Sequence, residues 1–176
     1  MYDYVENFLS LDEIQLIRDF WSTSKYKYDS HSNNWNTSSE YKTKIVSHIR
    51  QVDIIGIPLY KLHFLTEKLH KLFSEYFQDD FRLEGPHYLT KYSIGSFHSS
   101  HNDSGVVNNM VRSKVVTLQL SDENDYDGGD LIIGNEKALK KIGTAIIYNP
   151  VMQHQVTKIE RGVRFAITEC AGYLMG

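Results

Sequence analysis

Chemistry in this chain would gather at His101 and Asp103, which sit in Tyr92-Ser-Ile-Gly-Ser-Phe97-His-Ser-Ser-His101-Asn-Asp103-Ser-Gly105. Residues i and i+2 of an extended chain project to the same side, so the imidazole and the carboxylate can face one point. A second imidazole from a distant strand would complete a set of two histidines and one carboxylate. That set holds Fe(II) on one face and leaves the other positions open. His154 is the candidate. Alone, the pair carries little weight, because the chain has 8 His and short motifs match by chance. A histidine held by a turn carboxylate explains it as simply. Company raises its weight: Arg164 follows His154 in Gln153-His154-Gln155-Val156-Thr157 and Arg161-Gly162-Val163-Arg164.

Other groups compete. His98 and His101 also form a two-histidine spacing, but an extended chain puts residues three apart on opposite faces. His98 is therefore expected at the rim of a site or in the sheet face. His63 and His70 lie near one face of a helical stretch and read as ordinary filling of an amphipathic helix. The acidic run Ser121–Asp130 suggests calcium at first sight. Counted from Asp125, however, Gly129 and Asp130 occupy the positions where a ligand and a glycine are needed. It reads as a turn, with Gly128 and Gly129 supplying positive φ.

The elements that position these groups divide the chain in two. Ser10 with Glu13 fits a capping box and Leu9 with Ile14 a hydrophobic staple. Leu11, Ile14, Ile17, Phe20 and Trp21 then recur at helical spacing. Residues 22–44 are polar with scattered aromatics and read as a long loop or lid, in which Trp35 could touch a substrate or simply belong to a surface connection. Residues 45–57 fit a strand or a short helix. Pro58 is placed to open a second helix, carried by Leu59, Leu62, Leu65, Leu69, Leu72 and Phe73 to about Phe77. Beyond residue 80, short apolar runs alternate with Gly, Asn and Asp. Strands are expected at about 85–93, 96–103, 114–120, 130–133, 144–148, 153–158 and 163–173. Helices first and strands after give an α+β chain with two helices buttressing a sheet. The strand pattern alone supports only an all-β core.

At 176 residues the chain is expected to form a single domain, 1–80 mainly helical support and 81–176 the core. A formal net charge of −3 and a pI near 6.2 give no basic footprint, so no nucleic-acid partner is expected. The one cysteine, Cys170, permits no intrachain disulfide and reads as a buried strand residue. The opening Met-Tyr-Asp-Tyr-Val-Glu lacks the pattern of a signal peptide, and no apolar run approaches membrane-spanning length. A cytoplasmic location (a host's cytoplasm for a viral protein) is the expectation.

Several pieces together resemble the 2-oxoglutarate- and Fe(II)-dependent dioxygenases, in the prolyl-4-hydroxylase-like branch with its short microbial and phage-type members. They are Tyr92-x-x-Gly95 before His101-x-Asp103, then Val116-Thr-Leu-Gln-Leu-Ser121, Tyr126-Asp-Gly-Gly-Asp-Leu131, Gly143-Thr-Ala-Ile-Ile-Tyr148, His154-x-Val156 and Gly162-x-Arg164. Their order and rough spacing agree over about residues 85–170. Val5-Glu-Asn-Phe-Leu-Ser-Leu-Asp-Glu-Ile14 resembles that family's opening.

The resemblance implies a double-stranded β-helix (jelly-roll) core. It implies Fe(II) held by His101, Asp103 and His154, and Arg164 receiving the C5 carboxylate of 2-oxoglutarate through its planar fork. Arg161, three residues away, would face outward. Tyr92 matches a family tyrosine near the co-substrate, and Gln119 stands where relatives often carry a co-substrate-binding tyrosine. Tyr148 could equally be core. Dioxygen is the second co-substrate and ascorbate a further candidate cofactor. Oxidative decarboxylation of 2-oxoglutarate would be coupled to hydroxylation of a C–H bond. Peptidyl proline in a peptide or protein is the leading substrate; a small molecule, or a non-catalytic metal-binding module, are the alternatives. The loop Ser104–Ser113 is expected beside the substrate opening, with Val106 and Met110 as contacts, and disordered until substrate arrives.

Overall fold

The computed structural model describes residues 1–26, 40–77 and 80–175. In chain order, β1 (Asp3–Val5) leads to α1 (Leu11–Thr23), β2 (Lys25–Tyr26), β3 (Tyr41–Val46) and β4 (Arg50–Ile57). A 3-10 turn (Leu59–Leu62) runs into α2 (His63–Phe73). The strands that follow are β5 (Arg82–Leu83), β6 (His87–Tyr92), β7 (Phe97–His101), β8 (Val106–Val107), β9 (Met110–Gln119) and β10 (Tyr126–Gly128). The last six are β11 (Leu131–Ile133), β12 (Glu136–Lys137), β13 (Ala145–Tyr148), β14 (His154–Val156), β15 (Ile159–Gly162) and β16 (Arg164–Leu174).

The main sheet runs β1-β13-β9-β16-β6-β4-β7-β14-β11-β12, and its neighbours along this path are all antiparallel. It curls on itself, so that β7, β14 and β11 face β6, β16 and β9 across a shared interior lined from both sides. This is the expected jelly roll with two helices against it.

Alternation sorts the sheet into a helix side and an interior side. On β16, Phe165 and Ile167 join the core cluster that contains both helices, while Arg164, Ala166, Thr168 and Cys170 line the interior. On β9, Val116 and Leu118 face the helices and Thr117 the interior. The α1 helix supplies Ile14, Ile17 and Trp21 to that cluster and α2 supplies Leu65, Leu69, Leu72 and Phe73. The capping box forms as read: Ser10 Oγ accepts from the Glu13 N–H, and Glu13 accepts from the Ser10 N–H. The same Glu13 carboxylate accepts from Lys68 Nζ at 2.6 Å, tying α1 to α2.

Several details differ from the sequence reading. The N-terminal half is not support alone, since β3 and β4 form a hairpin and β4 lies between β6 and β7. Pro58 is the residue before a 3-10 turn rather than the first residue of an α-helix, and α2 ends at Phe73. The segment 104–113 is not an irregular loop. It is the β8–β9 hairpin, closed by Asn108 and Asn109 at φ of 49° and 64°, the left-handed pair that a tight hairpin turn demands. A small separate pair, β10 with β15, escaped the sequence pattern. Trp35 lies outside the described residues. Among the described residues no helix is long and apolar enough to cross a membrane.

Candidate active site

His154 on β14 pairs directly across from His101 on β7, and Asp103 stands two residues beyond the end of β7. One ligand atom from each of the three lies within 4.8 Å of the others. Asp103 Oδ1 is 3.8 Å from His101 Nε2, and Oδ2 is 3.2 Å from His154 Nε2. The far ring nitrogens are spoken for: His101 Nδ1 is 2.7 Å from Ser99 O, and His154 Nδ1 is 3.0 Å from Met152 O. A carbonyl oxygen only accepts, so each Nδ1 carries a proton and Nε2 is the ring atom left facing Asp103; in a neutral ring that atom presents a lone pair. Lone pairs facing a carboxylate at this range need a cation between them, a proton or a metal.

The carboxylate suits that part. Burial pushes the Asp103 carboxyl up, but the hydrogen bond and charge of His154, with His101 and Arg112, outweigh it and hold it below its ordinary value. Burial lowers the His101 imidazole, favouring the neutral form that can ligate. Among the described residues, no other three His, Cys, Asp or Glu side chains gather in this way.

His98 does not point away. Its ring stacks on that of His101 with centroids 3.7 Å apart, and it lines the interior. The reason is a bulge. From His154 to Val156, two steps on β14, the partners run from His101 to His98, three steps on β7. One extra residue resets the alternation and brings 98 and 101 to one face. Burial, then the neighbouring His101 and Arg50, push the His98 imidazole down to about 3, so it stays neutral.

Arg164 is 1% exposed. Its Nη2 donates to Gln119 Oε1 at 3.0 Å, its guanidinium carbon lies 5.1 Å from the Tyr92 ring centroid, and its Nε has no partner among the described residues. Among the described residues no carboxylate lies within ion-pair distance of it. Arg161, by contrast, is a surface residue paired with Asp127 at 2.6 Å. Tyr92 borders the interior beside Arg164. Gln119 does not: it is buried behind the arginine, and its Nε2 donates to Leu139 O at 2.9 Å. Its amide oxygen accepts from Arg164 and its Nε2 is turned to Leu139, so it stands against the arginine and off the cavity wall. Tyr148 lines the interior with its hydroxyl 3.3 Å from Thr117 Oγ1 and its ring 4.9 Å from that of His154.

These groups share one cavity of about 660 Å³. Its edge at the β8–β9 hairpin is made by Val107 and Asn108. Val106 and Met110, the expected contacts, do not reach it: Val106 is half exposed and Met110 is buried elsewhere. Arg50, Glu84 and Arg112 also line the cavity, and no motif had singled them out. The decoys resolve as structure. Asp130 pairs with Lys137 and Lys140, His63 with Glu67, and the His70 ring lies 5.2 Å from that of Phe81.

Comparison with known proteins agrees with the motif resemblance. The chain is 37% identical over 90 residues to the PKHD-type hydroxylase Bxeno_B2756 of Paraburkholderia xenovorans (strain LB400), covering 46% of this chain and 40% of that protein. It spans about two fifths of the length of the first curated relatives it matches. No family model matches. Among solved structures, the viral collagen prolyl hydroxylase of Paramecium Bursaria Chlorella virus-1 superposes with a TM-score of 0.67 at 14% identity, over 99% of this chain and 96% of that one. A prolyl hydroxylase of Trichoplax adhaerens, solved with a hypoxia inducible factor oxygen degradation domain peptide fragment, gives 0.68 at 16% identity, over 97% and 83%. The fold is thus that of the prolyl-4-hydroxylase-like 2-oxoglutarate/Fe(II) oxygenases, and the resemblance read from the motifs is borne out.

Proposed function

We propose that this chain is an Fe(II)- and 2-oxoglutarate-dependent dioxygenase that hydroxylates an unactivated C–H bond, with peptidyl proline as its leading substrate. The observation that carries the proposal is the pairing, in one cavity, of His101, Asp103 and His154 with a buried Arg164 that has no counter-ion among the described residues.

Each residue has a derived part. His101 and His154 offer Nε2 because the carbonyls of Ser99 and Met152 fix their tautomers. Asp103 supplies the anionic ligand and a net charge that favours a divalent cation over the proton. Arg164 is set to receive a carboxylate. Burying a guanidinium without an anion costs several kcal/mol, and a dicarboxylate whose far end reaches it would recover much of that. Gln119 and the Tyr92 ring fix the plane of the fork, so the arriving carboxylate meets its donors in bidentate register. Thr90, Thr117 and Thr168 give the cavity wall small polar points among apolar side chains, which suits a small dicarboxylate kept from bulk water. When bound, Fe(II) supplies the dioxygen activation that couples decarboxylation of 2-oxoglutarate to C–H hydroxylation.

The test is anaerobic binding of Fe(II) and 2-oxoglutarate, then succinate release in air, with ascorbate present and proline-containing peptides offered. Metal-dependent succinate, accelerated by a peptide that gains one oxygen, is expected. Metal uptake without 2-oxoglutarate binding would leave a metal-binding jelly roll and no dioxygenase. Succinate accelerated only by small molecules would move the substrate away from peptides.

A further inference from the structure

We infer that Arg112 is the positioning residue for Asp103, holding the carboxylate at the centre through a buried relay that starts on α2. This rests on reading His101, Asp103 and His154 as a metal site.

Asp103 needs such a device. It lies past the end of β7, so no strand ladder fixes it. Its peptide is instead held at both ends. The N–H donates to Pro150 O at 2.9 Å, just ahead of β14, and the carbonyl accepts from Arg112 Nη1 at 3.2 Å. The rest of the Arg112 fork is spent on one acceptor, with Nε and Nη2 both donating to the Glu84 carboxylate. A guanidinium presents rigid donors along separate edges. Clamped to Glu84 on one edge, it offers Asp103 a donor whose direction is set.

The clamp is itself anchored. The Glu84 N–H donates to Cys170 O at 2.8 Å on β16, and Gly85 N–H donates to Glu169 Oε1 at 2.9 Å. Glu169 Oε2 lies 2.8 Å from His87 Nδ1, and His87 Nε2 lies 3.0 Å from Thr66 Oγ1 on α2. His87 and Glu169 are fully buried.

A backbone irregularity aims Arg112. Ala171 pairs with Lys114 but Gly172 pairs with Arg112, so β9 carries one extra residue at Ser113. Without it, Arg112 and Thr117 would fall on opposite faces of β9; with it, both line the cavity. Gly172 permits the close approach, since a Cβ there would stand 1.9 Å from Val111 O.

The test titrates Co(II), a spectroscopic stand-in for Fe(II), into the full chain by calorimetry and records its d–d absorption. Arg112→Met and Arg112→Lys should each bind at least about 10-fold more weakly, the loss usual when a ligand's supporting contact is removed, and the bands should shift. Lysine keeps the charge but not the fork, so it should not rescue. Lys68→Met, which breaks the remote tie to Glu13, should bind like wild type, separating positioning from general weakening. Should Arg112→Met fail to fold, Glu84→Gln reads the same clamp. Wild-type affinity and spectrum in the Arg112 or Glu84 variants would overturn the inference alone. A wild type that takes up no Co(II), or uptake that survives His101→Ala, would overturn the metal reading and the inference with it.

Discussion

Arg164 and Gln119 form a half-finished contact: one guanidinium nitrogen donates to the amide oxygen at 3.0 Å, while the equally buried Nε has no partner among the described residues. A fold that buries a cation in this way carries a destabilising charge in exchange for a binding site. Arg164→Met should therefore leave the Tm of the metal-free chain unchanged or raise it, since an apolar group of similar length avoids the desolvation penalty. In the same variant 2-oxoglutarate should bind at least about 100-fold more weakly, the scale of losing a buried charge-assisted pair, with Co(II) affinity intact. Calorimetry and thermal melts on one preparation check all three. A large fall in Tm with 2-oxoglutarate binding preserved would make Arg164 a structural residue.

Gln119 offers a second handle on the same charge. Gln119→Glu places a carboxylate against the Arg164 fork, satisfying the guanidinium from within and opposing an incoming dicarboxylate. The expected outcome is a higher Tm, a 2-oxoglutarate KM raised about 10-fold or more, and unchanged metal affinity. A KM equal to that of wild type would show that the co-substrate does not depend on this fork.

Three imidazoles line the cavity, but they are not equivalent. His98 stacks on His101, whereas His101 and His154 turn Nε2 toward Asp103. Replacing His98 with Phe keeps a flat ring in the stack and should leave Co(II) affinity within about threefold of wild type, as a contact change without a lost ligand should. His101→Ala or His154→Ala should abolish tight binding. Loss of metal in His98→Phe equal to that in His101→Ala would make His98 a ligand.

What could be read ahead of the structure followed locality. The α1 start was legible because the Ser10 and Glu13 contacts span a single turn. The interior face of β16 was legible because Arg164, Ala166 and Thr168 keep strict alternation. β4 was not, because Val52, Ile54, Ile55 and Ile57 are buried on both of its faces, and a strand covered on both sides loses the alternating signature. Around the site, the error of aim at His98 and the omission of Arg112 both trace to bulges. The extra residue in β7 turned His98 inward, and the one in β9 turned Arg112 inward. A bulge is set by partner strands far away in the chain, so nothing in the local sequence announces it. Gln119 was placed on a buried strand, but its role could not be read before Arg164 and Leu139 stood beside it.

The acidic turn that mimicked a calcium loop makes a final, pH-dependent expectation. Asp130 meets Lys137 Nζ at 2.9 Å and Lys140 Nζ at 3.0 Å, and its N–H donates to Thr157 Oγ1 at 2.9 Å, which pins the start of β11 beside β14. Burial pushes this carboxyl up, but the two lysines outweigh it and hold it below its ordinary 3.8. Above about pH 5 the group is ionised in folded and unfolded chains alike, and its contribution is complete. As the pH falls further, the unfolded chain takes up the proton first, and the contribution is lost as the pH passes through the lowered folded value. Its size should be about 1 kcal/mol or less, because the lysines reach it near the surface. Urea midpoints of the metal-free chain should therefore show wild type above Asp130→Asn at pH 7, with the gap closing toward pH 3. A gap that persists unchanged at pH 3 would assign the stabilisation to hydrogen bonding and packing at the turn, not to the charge of Asp130.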